Sequence, residues 1–448
     1  MKILLISPNT LTVPYPVYPI GLDYVAGSVS ADHQVRIADL NTHSLAAVDE
    51  MIRDFAPEII GLSCRNIDNT EAGDPLFFIS EFRKLVGWLR ERSKAVLVGG
   101  GSGFTIMPDR VFAGLGVDYG IVGEGERFGL LVDAVQHGRD PAQIPGVFSS
   151  CSSSDKPEPW AGKQVRKFQP DASHVEFYLN KGGMLNLQTK RGCSFRCIYC
   201  PYPHIEGKRH RLVSPDEVAR TAMELQEAGA RYLFITDSAF NSDVEHSLAV
   251  ARAFRAAGVA IPWGGFFAPI RLPSDYFAIM ADAGLKHVEF GTESMSAAML
   301  ATYRKPFGVD EVFAAHRQAR DAGLHVAHYF LLGGPGESAV TVTESLEHIE
   351  RLTRTALFFF IGIRIYPHTA LYDIALEEGK ISPETDMLEP VFYQADAINR
   401  DAIEALVTAR AGRRVNWIIG SGGARSAATV RKMYERGHSG PLWEFLAR

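Results

Sequence analysis

No apolar run in the 448 residues approaches the ~18 needed to cross a bilayer, so a membrane-spanning chain is not expected. Cysteine is scarce. Five residues, three of them clustered, do not make a disulfide framework, and a reducing cytoplasm is the natural setting. Neither sign of charge is in large excess. A formal net charge of −6 argues against bulk nucleic-acid binding and leaves only local basic patches. No self-similarity at a solenoid period is visible. The opening "MKILLIS" runs straight into Pro8 and Asn9, so it reads as a first strand rather than a signal peptide.

What is present is an ordinary globular composition, 46% hydrophobic and 22% charged, on a chain long enough for two or three domains. Residues 1–137 alternate short apolar runs with helical stretches. Strands are expected at Lys2–Ser7, Val35–Asp39, Ile59–Cys64, Ala95–Gly100 and Tyr119–Gly123. Helices are expected near 20–31, 45–55, 76–93, 108–115 and 126–137. Five such repeats predict a doubly wound, Rossmann-like α/β domain, which binds ligands at the carboxyl ends of its strands. Those ends carry "PNTLTVPYPVYPIG", "SCRNIDNTEAGD", "GGGSGFTIMPD" and "GEGE". Glycines there allow a ligand to approach the backbone, or simply make tight turns. Four such loops on one rim favour a ligand site, with Tyr15, Tyr18, Arg65 and Asn66 facing it. Residues 138–180, including "SSCSSSDKPEPWAG", lack periodicity and read as a linker.

A second alternation fills residues 181–380. Its strands are expected at Met184–Gln188, Arg231–Thr236, Ala260–Phe267, His287–Gly291, His325–Leu332 and Leu357–Ile365. Six βα units predict a partial (β/α)6 barrel of the TIM type, with its chemistry on the loops after the strands. Residues 381–448 read as a small mixed capping segment, with a helix near 400–411 and a strand near Val415–Ile419. Its "GSGGAR" reads as a structural turn.

The loop after the first barrel strand is "KRGCSFRCIYCPYPHIEGKRHR", spaced Cys193-x3-Cys197-x2-Cys200. Structural zinc wants four ligands, usually as two separated pairs, and the nearest fourth candidate is His204. Ferredoxin runs supply a cysteine to every iron. Three thiolates on a four-iron cluster would leave one iron open to substrate. Lys190, Arg191 and Arg196 flank the sulfurs, where cations favour thiolates, or form a solvated basic loop. "EGKRHR" just beyond could attract a phosphate or carboxylate, or be plain surface.

This spacing, with Tyr199 before the last cysteine, resembles the signature of radical S-adenosylmethionine enzymes. The resemblance implies that Cys193, Cys197 and Cys200 hold a 4Fe-4S cluster whose fourth iron is chelated by S-adenosylmethionine. It places Tyr199 against the adenine. "LFITDSAFN" resembles the family's second-strand segment, which brings Asp237 and Ser238 to the methionyl part. "VEFGTES" resembles the fourth-strand segment and puts Glu293 near the ribose. "FLLGGPGES" resembles the glycine segment near adenine, with Gly333 and Gly334. "IRIYPHTALY" is similar to the sixth strand of the group. The order of the two domains resembles the cobalamin-binding subclass over roughly residues 1–380. Ser63, Gly99 and Gly100 sit where that fold meets the nucleotide tail of cobalamin. The Asp-x-His-x-x-Gly motif that supplies a histidine to cobalt is missing.

The implied function is methyl transfer to an unactivated carbon or to phosphorus of a small molecule or lipid precursor. A reducing partner such as flavodoxin or ferredoxin would be required. Three alternatives stay open: transfer of another fragment such as 3-amino-3-carboxypropyl without cobalamin, a non-methylating radical cyclisation or oxidation, and a non-catalytic cobalamin or redox sensor. Zinc-binding structural protein is a fourth. Substrate-facing candidates are Phe266, Phe267, Arg271, Arg364 and Tyr366. His325 and His328, at a strand start, are expected to be ordinary hydrogen-bonded histidines.

Overall fold

The computed structural model describes residues 1–12, 15–150 and 157–447, without the side chains of 423–426. Cys151 and the rest of 151–156 therefore lie outside the described residues. The chain divides into two compact units. The first comprises Met1–Leu11, Tyr18–Asn69 and Leu76–Phe177; the second comprises Thr12–Val17, Thr70–Pro75 and Tyr178–Arg448. Among the described residues no helix is long and apolar enough to cross a membrane.

In the first unit β1 (Lys2–Ser7), β2 (Gln34–Asp39), β3 (Ile59–Ser63), β4 (Val96–Gly100), β5 (Tyr119–Ile121) and β6 (Val147–Ser149) form one sheet, ordered β2-β1-β3-β4-β5-β6. The first five are parallel and β6 runs antiparallel to β5. β1 is buried at every position but its first, as a strand covered on both faces must be, and "KILLIS" is accordingly a continuous apolar run. Ile3, Leu5, Ile59, Val98 and Ile121 pack with helix residues Leu22 and Phe128 into the core. Strand order reverses between β1 and β3, so their carboxyl ends flank the crevice where such sheets take ligands. The stretch read as linker is more ordered than its composition suggests. β6 lies within it, and the helix Ser173–Asn180 closes it.

The second unit is built on β7 (Met184–Leu187), with a small antiparallel pair after it, β8 (Lys190–Arg191) and β9 (Arg211–Leu212). β10 (Tyr232–Ile235), β11 (Trp263–Phe267), β12 (Leu285–Glu293), β13 (His325–Leu332) and β14 (Thr355–Ile361) follow. β15 (Ile363–Arg364) and β16 (Phe392–Tyr393) pair with each other. β17 (Trp417–Ile419) then pairs parallel with β14, so the sheet runs β17-β14-β13-β12-β11-β10-β7. The C-terminal segment thus adds a seventh parallel strand to the six expected. Local signals set the helices between. Ser214 accepts from the Glu217 amide ahead of Pro215 at the start of Pro215–Glu227, and left-handed Gly258 ends Val244–Ala257.

Candidate active site

The cysteine stretch leaves the end of β7 as a loop tied at its base by β8 and β9. Lys190 is buried, and its ammonium donates to Asp237 Oδ2 at 2.9 Å and to the carbonyls of Ala239 and Phe240 at 2.8 and 2.9 Å. The Thr189 amide and hydroxyl donate to the same carboxylate at 2.8 and 2.5 Å. Gly192 then turns with φ +87°, and a Cβ there would lie 2.1 Å from the Arg209 carbonyl oxygen. The Gly192 amide donates to Glu206 Oε2 at 3.1 Å, and the Cys193 amide to the Gly207 carbonyl at 3.1 Å. Between the sulfurs, buried Ile198 donates to the Tyr303 carbonyl at 3.2 Å and accepts from the Leu371 amide at 2.8 Å. The loop is therefore fixed by backbone and buried charge, without help from its thiols.

The thiols are free; Cys193 is buried, Cys197 and Cys200 partly so. Burial pushes the Cys200 thiol up to about 12, and the neighbouring Cys197 and Cys193 push it the same way while Lys305 opposes them. Burial also raises Cys193, against the Phe195 amide, Lys190 and Lys305. No group of three or more His, Cys, Asp or Glu among the described residues has the spacing to hold a single metal ion. The three thiols instead share one electrostatic neighbourhood without converging on a point. A multi-iron cluster, which takes one thiolate per iron, fits such a donor set, and loading it would expel the thiol protons.

A second cluster stands beside them. Tyr199 donates to Glu293 Oε1 at 2.8 Å, and the Lys305 ammonium lies 3.3 Å from the same oxygen and 3.2 Å from the Tyr199 hydroxyl. Glu293 ends β12 after a register shift against β13, with its backbone at φ +64°, a conformation costing about 1–3 kcal/mol for a non-glycine residue. Such strain persists where the surroundings over-determine it, as these hydrogen bonds do. After β10, the Ser238 hydroxyl is buried with no hydrogen-bond partner among the described residues. Asp237, by contrast, spends both oxygens on Thr189 and Lys190. Gly333 sits at φ +91° after β13, and a Cβ on Gly334 would lie 2.4 Å from the Tyr303 ring. Tyr303 in turn packs edge-on to Tyr199, ring centroids 6.0 Å apart.

In the first unit Ser63 pairs in register with Gly100 at the carboxyl ends of β3 and β4, next to Gly99. The loops beyond them touch. Cβ atoms on Gly101 and Gly103 would each lie 2.8 Å from the Cys64 carbonyl oxygen, and the Arg65 carbonyl accepts from Ser102 Oγ at 2.8 Å. Two rim expectations change. Tyr18 is only 1% exposed, its hydroxyl donating to Asp23 at 2.8 Å and its ring stacked on His174, so it belongs to the interior. Tyr15 groups with the second unit, its ring 6.3 Å from that of Phe234. In "GEGE", Glu124 accepts from Arg127 and the Trp160 amide, a tie within the unit.

Of the weaker candidates, Arg364 is buried and donates to the carbonyls of Ile365 and Met387, both at 2.7 Å, which leaves it poorly disposed to meet a substrate anion. His328 is satisfied by Thr292 Oγ1 at 2.7 Å and His316 at 3.0 Å, the ordinary role expected for it. Lys305 was not foreseen, nor was a group inside the barrel. Buried Glu289 on β12 accepts from the Tyr329 hydroxyl at 2.8 Å and from Trp443 Nε1 at 3.0 Å. Phe266 packs edge-on against both Phe234 and Tyr329 above it.

Burial raises the Glu289 carboxyl to about 7, against the hydrogen bonds from Trp443 and Tyr329. The folded state therefore holds a proton that the unfolded chain releases near pH 4. This stability is complete below the unfolded pKa and is lost as pH rises through about 7. Thermal midpoints measured from about pH 4.5 to about 8 should fall in the parent protein relative to Glu289→Gln, the fall being nearly complete once pH passes about 7. At the alkaline end the variant is expected to be the more stable by about 3 kcal/mol.

Comparison with known proteins gives matches in both units. A family described as the radical SAM superfamily matches residues 187–349, and the B12 binding domain matches residues 6–129. An uncharacterized methyltransferase of Pyrococcus horikoshii is 26% identical over 84% of this chain and 83% of its own. The cytidylyl-2-hydroxyethylphosphonate methyltransferase of Streptomyces wedmorensis is 24% identical over 88% and 85%. Among solved structures, the radical S-adenosylmethionine methyltransferase TsrM from Kitasatospora setae, bound to cobalamin and a [4Fe-4S] cluster, has the same fold. It matches with a TM-score of 0.87 at 20% identity, over 100% of this chain and 97% of TsrM.

Proposed function

We propose that this chain, a member of the radical S-adenosylmethionine superfamily with a B12-binding domain, is a cobalamin-dependent methyltransferase of a small molecule. The observation that carries the reading is the triple-cysteine loop beside Tyr199, Glu293 and Lys305, at the carboxyl ends of a parallel barrel, in a chain whose other unit is of the B12-binding type. The named methyltransferases among its relatives support it. When bound, the 4Fe-4S cluster supplies one-electron chemistry, S-adenosylmethionine the methyl group and a radical source, and cobalamin a methyl carrier.

The chain's own residues divide that work. Cys193, Cys197 and Cys200 would hold the cluster once deprotonated. Tyr199 and Glu293 present a hydroxyl and a carboxylate that can orient a nucleoside. Ser238 offers a buried hydroxyl still lacking a partner, and left-handed Gly333 with side-chain-free Gly334 leaves room for a flat base beside Tyr303. In the first unit Ser63, Gly99 and Gly100 would meet the cobalamin tail. Inside the barrel Phe234, Phe266 and Tyr329 form an apolar wall, with Phe266 38% exposed, that suits a substrate with a ring or hydrocarbon portion, methylated on carbon or phosphorus. Arg196, Lys208 and Arg209 are exposed on the cysteine loop and its return, a face suited to an acidic one-electron donor such as flavodoxin or ferredoxin.

The test is direct. Protein purified without oxygen is reconstituted with iron and sulfide, mixed with hydroxocobalamin, and gel-filtered. Stoichiometric cobalamin in the protein peak is expected and, after addition of S-adenosylmethionine with a low-potential reductant such as titanium(III) citrate to reduce the cobalt, conversion of S-adenosylmethionine to S-adenosylhomocysteine. Protein that elutes without cobalamin and releases 5′-methylthioadenosine would overturn the reading in favour of fragment transfer.

A further inference from the structure

Lys305 is a buried cation at the thiol site that no motif accounts for. Its position is set by how the short helix Ala297–Thr302 ends. The Arg304 amide donates to the Ala301 carbonyl at 3.0 Å and the Lys305 amide to the Leu300 carbonyl at 3.0 Å, with Arg304 left-handed at φ +54°. This paired closure turns the chain sharply, and Pro306 prevents the helix from resuming. The turn sends Lys305 inward rather than to solvent, where its side chain is 7% exposed. Its ammonium lies over the rings of Phe307 and Tyr199, 5.3 and 5.8 Å from their centroids. With Tyr199 and Glu293 it closes a three-membered ring of polar contacts, each 3.3 Å or shorter. Burial opposes its charge, but the Glu293 carboxylate, and Cys197 and Cys200 once they are thiolates, outweigh burial and raise its pKa.

A buried lysine with one carboxylate partner is a charge-neutral pair. Hydrogen-bonded to Tyr199 just before Cys200 and within electrostatic reach of all three thiols, the same lysine has a second task once they become thiolates. The geometry points to Lys305 as the fixed counter-charge of the cysteine site: a positioning residue that holds Glu293 and Tyr199 in place and offsets the negative charge of the loaded thiolates. The inference rests on the reading that these cysteines hold a four-iron cluster. A cation fixed near such a cluster favours its reduced, more negative state, because net charge is among the factors that set cluster potentials. The Tyr199 hydroxyl donates to the same carboxylate and accepts from the ammonium, so loss of the lysine would leave the ring held by one of these two bonds.

The experiment compares Lys305→Met, which keeps the length and removes the charge, with Lys305→Arg. Each is reconstituted with iron and sulfide without oxygen, and the cluster midpoint is read by potentiometric titration followed by electron paramagnetic resonance. The methionine variant should bind iron as the parent does, with its midpoint moved to more negative potential. The arginine variant should return it towards the parent value. Should Lys305→Met fail to accumulate because Glu293 is left buried without its partner, the double variant Lys305→Met with Glu293→Gln removes both charges, and is compared with Glu293→Gln alone. The same negative shift between those two is expected. Parent protein that takes up no iron removes the underlying reading, and this inference with it. Parent protein that takes up iron, with a midpoint unmoved by loss of the lysine, overturns the inference alone.

Discussion

Substituting Cys193, Cys197 and Cys200 by alanine together is expected to abolish iron uptake and all cleavage of S-adenosylmethionine, while leaving the fold intact. The two halves of this expectation have separate causes. The loop keeps its shape through bonds that do not involve sulfur: the Lys190–Asp237 pair, the amides of Gly192 and Cys193, and the double backbone tie at Ile198. Removing one buried sulfur from such a frame costs about 1 kcal/mol, the order of one buried methylene. Three such losses sum to at most about 3 kcal/mol, so the circular dichroism of the apo protein should stay native and its thermal midpoint fall by no more than roughly 10 °C. Iron is different, because no neighbouring group can replace the lost ligands. His204, the nearest candidate by sequence, stacks on His368 with ring centroids 4.1 Å apart. Protein that keeps its iron and its activity after the triple substitution would end the central assignment.

The two sheets were legible in the sequence for a physical reason. Strands covered on both faces must be apolar throughout, and runs such as "KILLIS" and "YLFI" have no other use at that length. The cysteine triad was legible because its spacing has few alternative meanings. β6 was not, since three residues within a polar stretch carry no periodicity. Lys305 was hidden by a turn: a lysine just past a helix end ordinarily points to water, and only the left-handed Arg304 and the proline after it reverse that. Glu289 could have been found. It alternates with His287 and Gly291 along β12, so the period of two that marks an inward face is present in the sequence. Asp237 shows the opposite error of emphasis. Its place after β10 suggests a ligand contact, whereas its oxygens are taken up by the loop that carries the cysteines.

That difference gives the second large expectation. Asp237→Ala strands the buried Lys190 ammonium and the Thr189 donors, and should destabilise the second unit by about 3–5 kcal/mol, the usual result of breaking a buried pair from one side. The damage should centre on the cysteine loop, so hydrogen exchange at the amides of Gly192 and Cys193 should accelerate before that of β12 or β13. Replacing both partners, as Asp237→Ala with Lys190→Met, removes the stranded charge and should recover much of the loss. A residue that only touched the methionyl part of bound S-adenosylmethionine would behave differently. Its removal would weaken S-adenosylmethionine binding with stability and loop exchange unchanged, and the double variant would bring no recovery. Recovery in the double variant therefore assigns Asp237 to the foundation of the loop, and its absence assigns the carboxylate to the ligand.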